Sequence, residues 1–410
     1  MKTPTTALLL LNLFTSILAL PSENSALLAS YQIVDNTICA PVPYWCTAIG
    51  AYDRAACQSP NNKDIATTCP PGTIVVGPSG KFKTIQSAVL SLPLDKTPQT
   101  ILIQPGLYTE QVNITRPGPL TLLGATTLPN SHTGNTVRVL WKAATGTKET
   151  GTKDNAFTAT LTVAPTLDAA LTGSGPTGHE IPAGTAFGNA DFRAYNIDFT
   201  NDFKQASAGP SLAVSTGMAN TGFYFCGVRS WQDTVYIGKQ GKAYFYKGEI
   251  AGFTDYLYGF GTAWIQSAKV ASKGCGGGIT AWKGTSGTNK FGVYVVDSEV
   301  GKTKNSTAGK GKCFLGRPWN EFHRSIFANC KLDDSIAAAG YKKWAEKGDT
   351  HFTSKTLMAE YGNSGPGFNA TGRKSGAVSK VLSAAEYEPY STVEKVFGDV
   401  AWIDKHPESK

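Results

Sequence analysis

The chain has 410 residues, 17% of them charged and 41% apolar, a balance that excludes a disordered segment and leaves room for a large buried core. Its formal charge of +8 comes from Lys and Arg residues that are scattered rather than blocked. Such a charge suits either a plain solvated surface or a field that steers an acidic polymer, and no block marks a nucleic-acid tract.

The N-terminus reads as a secretory signal peptide over residues 1–20: Lys2, a mostly apolar run from Ala7 to Leu20, then Pro21-Ser22-Glu23. Nothing later is apolar enough to span a bilayer, so a secreted, extracellular protein without membrane or nucleic-acid partners is expected. Residues 21–70 hold Cys39, Cys46, Cys57 and Cys69 and read as a separate stapled arm or cap before a body over 71–405. The other cysteines, Cys226, Cys275, Cys313 and Cys330, are spread through that body. An even total of eight fits an oxidising destination, and the lack of a C-x-x-C pair argues against zinc. Sequons at Asn113, Asn305 and Asn369 agree with secretion and are candidate glycosylation sites.

The clearest helical pattern is "FKTIQSAVLSL", with Phe82, Ile85, Ala88 and Val89 at helix spacing. Residues 142–190, rich in Thr, Gly and Ala, are expected to form long loops. Beyond them, short β-branched runs recur and end at Phe199, Val228, Ile250, Val270, Val300 and Leu332, at intervals of 29, 22, 20, 30 and 32 residues. A floor near 20 with variable excess predicts an all-β parallel solenoid, in which each coil needs a minimum length and surplus leaves as loops. A β-sandwich is the competing fold.

"WQDTVYIG" (231–238) and "FTDYLYGF" (253–260) place Asp233 ahead of Tyr236 and Asp255 ahead of Tyr258, 22 residues apart. If that interval is one coil, the two carboxylates are neighbours at about 5 Å, one strand spacing. They then titrate as a pair, one pushed toward its protonated form, which supplies an acid beside a nucleophile or base. A packing ladder is the bland alternative, weakened because stacked carboxylates repel. "KGCGGGITAWKG" (273–284) reads as a loop leaving a coil or as an anion-binding nest. In "CFLGRPWNEFH", Arg317 could hold one Asp ionised and Trp319 could pack on a sugar ring. His323 reads as a structural or exposed histidine.

These stretches resemble the pectin methylesterases (pectinesterases) of carbohydrate esterase family 8. "WQDTVY" matches the family's Y-Q-D-T/S-L-Y, "TDYLYGFG" its V-D-F-I-F-G, "LGRPW" its L-G-R-P-W, "GKFKTIQSAV" its G-x-F-x-T-I-Q-x-A-V and "GLYTE" its G-x-Y-x-E. The likeness runs in order from about Gly72 to about Leu382. It implies a single-stranded right-handed parallel β-helix that hydrolyses methyl esters of pectin with no cofactor or metal, acting as a monomer. By resemblance Asp255 is the nucleophile, Asp233 the general acid and then base, Gln232 the oxyanion donor, and Arg317 the group that orients Asp255. Trp319, Trp231, Tyr236 and Tyr256 would meet the sugar.

One departure stands out. Where the family carries a second Gln, in Q-A-V-A-L, this chain reads "GPSLAVST", with Ser211 or Leu212 at the Gln position. Losing one oxyanion donor can cost roughly a hundredfold in rate. Either Ser211, a main-chain N–H or another side chain substitutes, or activity is reduced; the alternative function is a non-catalytic pectin-binding β-helix. Glycoside hydrolases share the solenoid and the paired carboxylates, yet the N-T-D, G-H-G and R-I-K motifs of polygalacturonases are absent. The carboxylate cluster that a calcium-dependent lyase needs does not appear on neighbouring coils.

Overall fold

A computed structural model describes residues 52–147, 154–173, 178–204, 208–345 and 348–408, together with the backbone of two short antiparallel strands, Ile33–Val34 and Thr37–Ile38. The expected signal peptide, Cys39 and Cys46 lie outside the described residues. The body is one compact unit, Arg54–Lys410. It takes in residues 54–70 as well, with Cys57 and Cys69 joined in a disulfide and buried.

The described part of this unit is a parallel β-helix. Its strands form three sheets of 11, 8 and 6 members in which each strand pairs in parallel with the equivalent strand of the next coil. The first sheet runs from Ile74–Val76 to Lys380–Val381, the second from Gly106–Thr109 to Lys331–Leu332, the third from Val112–Ile114 to Thr280–Trp282. The recurrent run ends of the sequence are register partners: Phe199 pairs with Val228, Val228 with Ile250, Ile250 with Val270, Val270 with Val300, and Val300 with Leu332.

The corner between the first and second sheets is made the same way in six successive coils, by one residue at positive φ: Asn196, Phe225, Lys247, Ser267, Asp297 and Asn329, with φ between 48° and 55°. Non-glycine residues rarely adopt this region, Asn and Asp being the most tolerant. Packing on both sides of the bend holds Phe225 there, buried with the tyrosines outside the first sheet. Inside the helix, Phe223 stacks on Phe245 at 4.7 Å between centroids, the stacking that parallel coils impose on equivalent side chains.

The outer face of the first sheet carries Tyr195, Tyr224, Tyr244, Trp264 and Tyr294, covered by Tyr387, Phe397 and Trp402 of the C-terminal segment. With both faces buried, strands such as Gly292–Val296 are apolar throughout instead of alternating. The predicted helix spans Ile85–Leu90, capped by Thr84, whose side chain accepts from the Ser87 N–H, and it buries Ile85, Ala88 and Val89. Residues 142–190 are not all loop. Leu161–Val163 is a strand of the third sheet, preceded by a 3-10 turn at Asn155–Thr158 and followed by a short helix at Leu167–Ala170.

Cys275 and Cys313 form a second disulfide. Cys226 and Cys330 are unpaired and buried, and burial pushes each thiol up to about 12, so both are unreactive. Among the described residues no helix is long and apolar enough to cross a membrane.

Candidate active site

Asp233 and Asp255 occupy the corner where each coil enters the third sheet. Tyr236 is the register partner of Tyr258, Gln232 bridges to Thr254, and the Asp233 N–H donates to the Thr254 carbonyl at 3.0 Å. The two carboxylates therefore sit on adjacent coils, about 4.8 Å apart along the stack by strand spacing. Both backbones are in the left-handed region, Asp233 at φ 60° and Asp255 at φ 48°, a cost Asp bears better than most residues. Only 7% of Asp233 and 5% of Asp255 remain exposed, so neither charge is well hydrated.

Their surroundings differ sharply. Arg317 grips Asp255 in a two-point contact, Nε to Oδ1 at 3.1 Å and Nη2 to Oδ2 at 2.5 Å, and the Gly278 N–H adds a third donor to Oδ1 at 3.0 Å. The guanidinium lies 4.0 Å from the centroid of the Trp344 ring, which fixes its plane. Among the described residues Asp233 has no such partner; its side chain is met by Asn155 Nδ2, at 3.4 Å from Oδ2. Burial, and then the charge of Asp255, push the Asp233 carboxyl well above the usual carboxylate range, against the opposing pull of Arg317. One carboxylate is thus paired with a cation, and its neighbour is held toward its protonated form.

Arg317 reaches Asp255 because Gly316 bridges to Thr280 and the Arg317 N–H donates to the Thr280 carbonyl at 3.0 Å, extending the third sheet by one coil. The Gly-rich stretch 273–284 lies directly under this ion pair. A Cβ on Gly277 would stand 2.5 Å from Asp255 Oδ1 and 2.6 Å from Arg317 Cζ, so only glycine leaves room for the pair. The Cys275–Cys313 disulfide ties this stretch to the segment that delivers Arg317. The sequence reading of 273–284 as a loop or an anion nest missed this role, since the carboxylate it cradles belongs to the protein.

Above the pair opens a cleft of about 500 Å³ lined by Gln232, Asp233, Asp255, Arg317 and Trp319, with Asn155, Trp344, Asp154 and His179 completing its walls. Trp319 packs against Tyr258 at 5.5 Å between centroids. Three expected sugar contacts are not among its lining residues. Tyr236 is 2% exposed and packs at a tilt against Tyr258, 4.9 Å between centroids. Tyr256 is 1% exposed, with its hydroxyl on Ser272 Oγ at 3.0 Å, because the left-handed bend at Asp255 breaks strand alternation and turns both Tyr256 and Leu257 into the core. Trp231 packs on Phe253 and under Lys273 instead. Ser211 is corrected likewise: it is 1% exposed, its hydroxyl faces Ser230 Oγ at 2.9 Å, and it offers no donor to the cleft.

His323 is structural. It is fully buried, Nδ1 accepts from the Trp282 N–H at 3.0 Å, Nε2 faces Ser325 Oγ at 2.8 Å, and burial drives the imidazole down to about 3. Sequence reasoning missed Asn155, Asp154 and Trp344, which arrive on segments outside the coil repeat and carry no motif.

Comparison with known proteins places the chain in a family. The sequence model of the Pectinesterase family matches residues 172–399, more than half of the chain and the whole of the carboxylate, arginine and tryptophan set. The chain belongs to the pectinesterase family. Within it, pectinesterase A of Emericella nidulans is 29% identical over 92% of this chain and 97% of its own length. A probable pectinesterase A of Neosartorya fischeri is 31% identical over 76% of this chain and 85% of its own. The crystal structure of pectin methylesterase from Aspergillus niger superposes with a TM-score of 0.67 at 26% identity, covering 82% of this chain and 98% of that one. Another structural neighbour, a pectin methylesterase solved in complex with a hexasaccharide, has a TM-score of 0.61 at 23% identity. Membership of the family makes this chain a carboxylic ester hydrolase, and the β-helix is the family's fold.

Proposed function

We propose that this esterase hydrolyses the C6 methyl esters of homogalacturonan, releasing methanol and leaving de-esterified pectin, with Asp255 as nucleophile and Asp233 as general acid and base. The observation that carries the assignment of roles is the asymmetry of the pair: Arg317 contacts Asp255 at two points, while Asp233 is buried with no cation of its own. The carboxylate of Asp255 attacks the ester carbonyl, and the negative charge that develops on the carbonyl oxygen is met by the side-chain amide of Gln232. Collapse of the adduct breaks the bond to the methoxy oxygen, which takes the proton of Asp233 and leaves as methanol. Asp233, now a carboxylate, draws a proton from water, and the resulting hydroxide attacks the galacturonyl carbonyl of the anhydride. That step releases the acid and restores both Asp255 as carboxylate and Asp233 as acid.

Trp319 forms the sugar platform in this reading. The substrate is an oligosaccharide-length stretch of pectin, in keeping with the hexasaccharide bound by the structural neighbour. Secretion fits the N-terminal sequence, and Asn113, Asn305 and Asn369 are all exposed, as glycosylation requires.

Methanol release from highly methylated pectin tests the proposal, with Asp255→Ala in parallel. Wild type is expected to release methanol and the variant to fall by about a thousandfold or more, to the residual rate left when a nucleophile is removed. Pectin binding without methanol release by the folded wild type would instead establish the non-catalytic binding protein.

A further inference from the structure

We propose that Asn155 supplies the second oxyanion donor, replacing the Gln that the Ser211-Leu212 segment lacks. This rests on the esterase reading above and adds a catalytic residue to it. The side-chain amide of Asn155 lines the cleft together with Gln232, Asp233 and Asp255. Its Nδ2 lies 3.4 Å from Asp233 Oδ2 and 3.4 Å from the Tyr258 hydroxyl. Both contacts are long for hydrogen bonds, so the two N–H groups of the amide are weakly engaged and free to shorten onto an anionic oxygen as charge develops.

The turn that carries Asn155 docks on the segment where the Gln is missing. Thr158, at the end of the 3-10 turn Asn155–Thr158, accepts on its Oγ from the Leu212 N–H at 3.0 Å, while its carbonyl accepts from Asn201 Nδ2 at 2.8 Å. Gln111 Nε2 donates to the carbonyls of Phe157 and Ala159 at 3.0 and 2.9 Å. Asn155 leads into the Leu161–Val163 strand, one coil beyond the Ser211-Leu212 pair, which itself lies one coil from Gln232 and Asp233. An amide delivered by an added turn takes the place of one delivered by the coil.

A donor must also be held still to stabilise charge without reorganisation. Asp154 does this. Its Oδ1 accepts from the Ala156 N–H at 2.9 Å and the Thr172 N–H at 2.8 Å, and its Oδ2 accepts from the Gly173 N–H at 2.7 Å. The Thr172 hydroxyl lies 3.0 Å from both oxygens. This one carboxylate fastens the start of the turn to the segment after the short helix, and Asp154 is the positioning residue for Asn155.

The test uses Asn155→Ala and the near-isosteric Asn155→Leu, which keeps the size but removes both donors without adding a carboxyl beside Asp233, with Asp255→Ala as the reference and methylated pectin as substrate. Each Asn155 variant is expected to lose about a hundredfold in kcat with KM within about threefold, and to keep the wild-type shape of the pH profile. Activity of both variants within about threefold of wild type, while Asp255→Ala is inactive, overturns the inference and leaves the esterase reading intact. A displaced pH limb with full activity at the new optimum also overturns it, since Asn155 would then only tune Asp233. An active Asp255→Ala would strike the underlying reading instead. Should Asn155→Ala fold poorly by its thermal midpoint, Asn155→Leu carries the test alone.

Discussion

Replacing Asp233 with asparagine is expected to lower kcat on methylated pectin by about a thousandfold, within the range general acid–base groups supply, and to make the folded protein more stable at neutral pH. Both effects come from one cause. In the native state, burial and the neighbouring Asp255 charge hold the Asp233 carboxyl well above its ordinary range. An unfolded chain, by contrast, ionises that carboxyl near pH 4. A group whose folded pKa is raised contributes its full stability below the unfolded pKa and loses it as pH rises through the folded one. From about pH 4 upward the unfolded chain binds fewer protons than the native one, so Asp233 makes folding progressively less favourable. Asparagine keeps the shape and removes that penalty together with the transferable proton. The variant should melt higher than wild type at pH 7 and equally near pH 3, while its turnover is nearly abolished at every pH. In wild type the same titration is expected to set the alkaline limb of kcat/KM, since in the proposed mechanism the resting enzyme carries the proton that leaves with methanol. A variant that turns over normally, or melts lower at pH 7 than at pH 3 relative to wild type, would refute the assignment.

Gly277→Ala is expected to lower kcat about a hundredfold while leaving the thermal midpoint within a few degrees of wild type, the penalty typical of a misplacement of about 1 Å in a catalytic group. The added methyl meets Asp255 Oδ1 at 2.5 Å and Arg317 Cζ at 2.6 Å, so it wedges the ion pair that aims the nucleophile. Gly277 is not at positive φ, so alanine suits its backbone and the damage stays local. Gly278 is the informative contrast: its added methyl would stand 2.8 Å from the Gly316 Cα, backbone against backbone, and there stability should fall as well. A Gly277→Ala enzyme with wild-type kcat would show that the alignment of Asp255 by Arg317 does not limit turnover.

The fold was legible because a solenoid writes its register into the chain. Residues that face the interior on successive coils must stack, so Phe199, Val228, Ile250, Val270, Val300 and Leu332 announced one another at a distance, and each proved to be the next one's strand partner. The juxtaposition of Asp233 and Asp255 was legible for the same reason. Facing was less so. Alternation fails at a left-handed corner, which is why Tyr256 reads as a sugar contact yet points into the core. Asn155, Asp154 and Trp344 were hidden because they reach the cleft from segments whose length is free of the repeat. Nothing periodic places them, and only the three-dimensional path brings them to Asp233 and Arg317.

From Asn196 to Asn329 that freedom of length lies on one side of the molecule, although an earlier coil spends residues 125–136 between the first and second sheets. In these six coils the bend between the first and second sheets is one or two residues led by a left-handed one, whereas the segments flanking the third sheet vary widely, from Phe260-Gly261 in one coil to the whole of 303–323 in another. The back of the β-helix acts as a fixed spine, and the face bearing the carboxylate pair is where the chain can gain or lose residues without disturbing a single register. New walls for the cleft can therefore be grafted or lost one coil at a time. The turn at Asn155–Thr158 is one such graft, and exchange of the 283–291 connection between relatives should alter which pectin patterns are accepted while the spine folds unchanged.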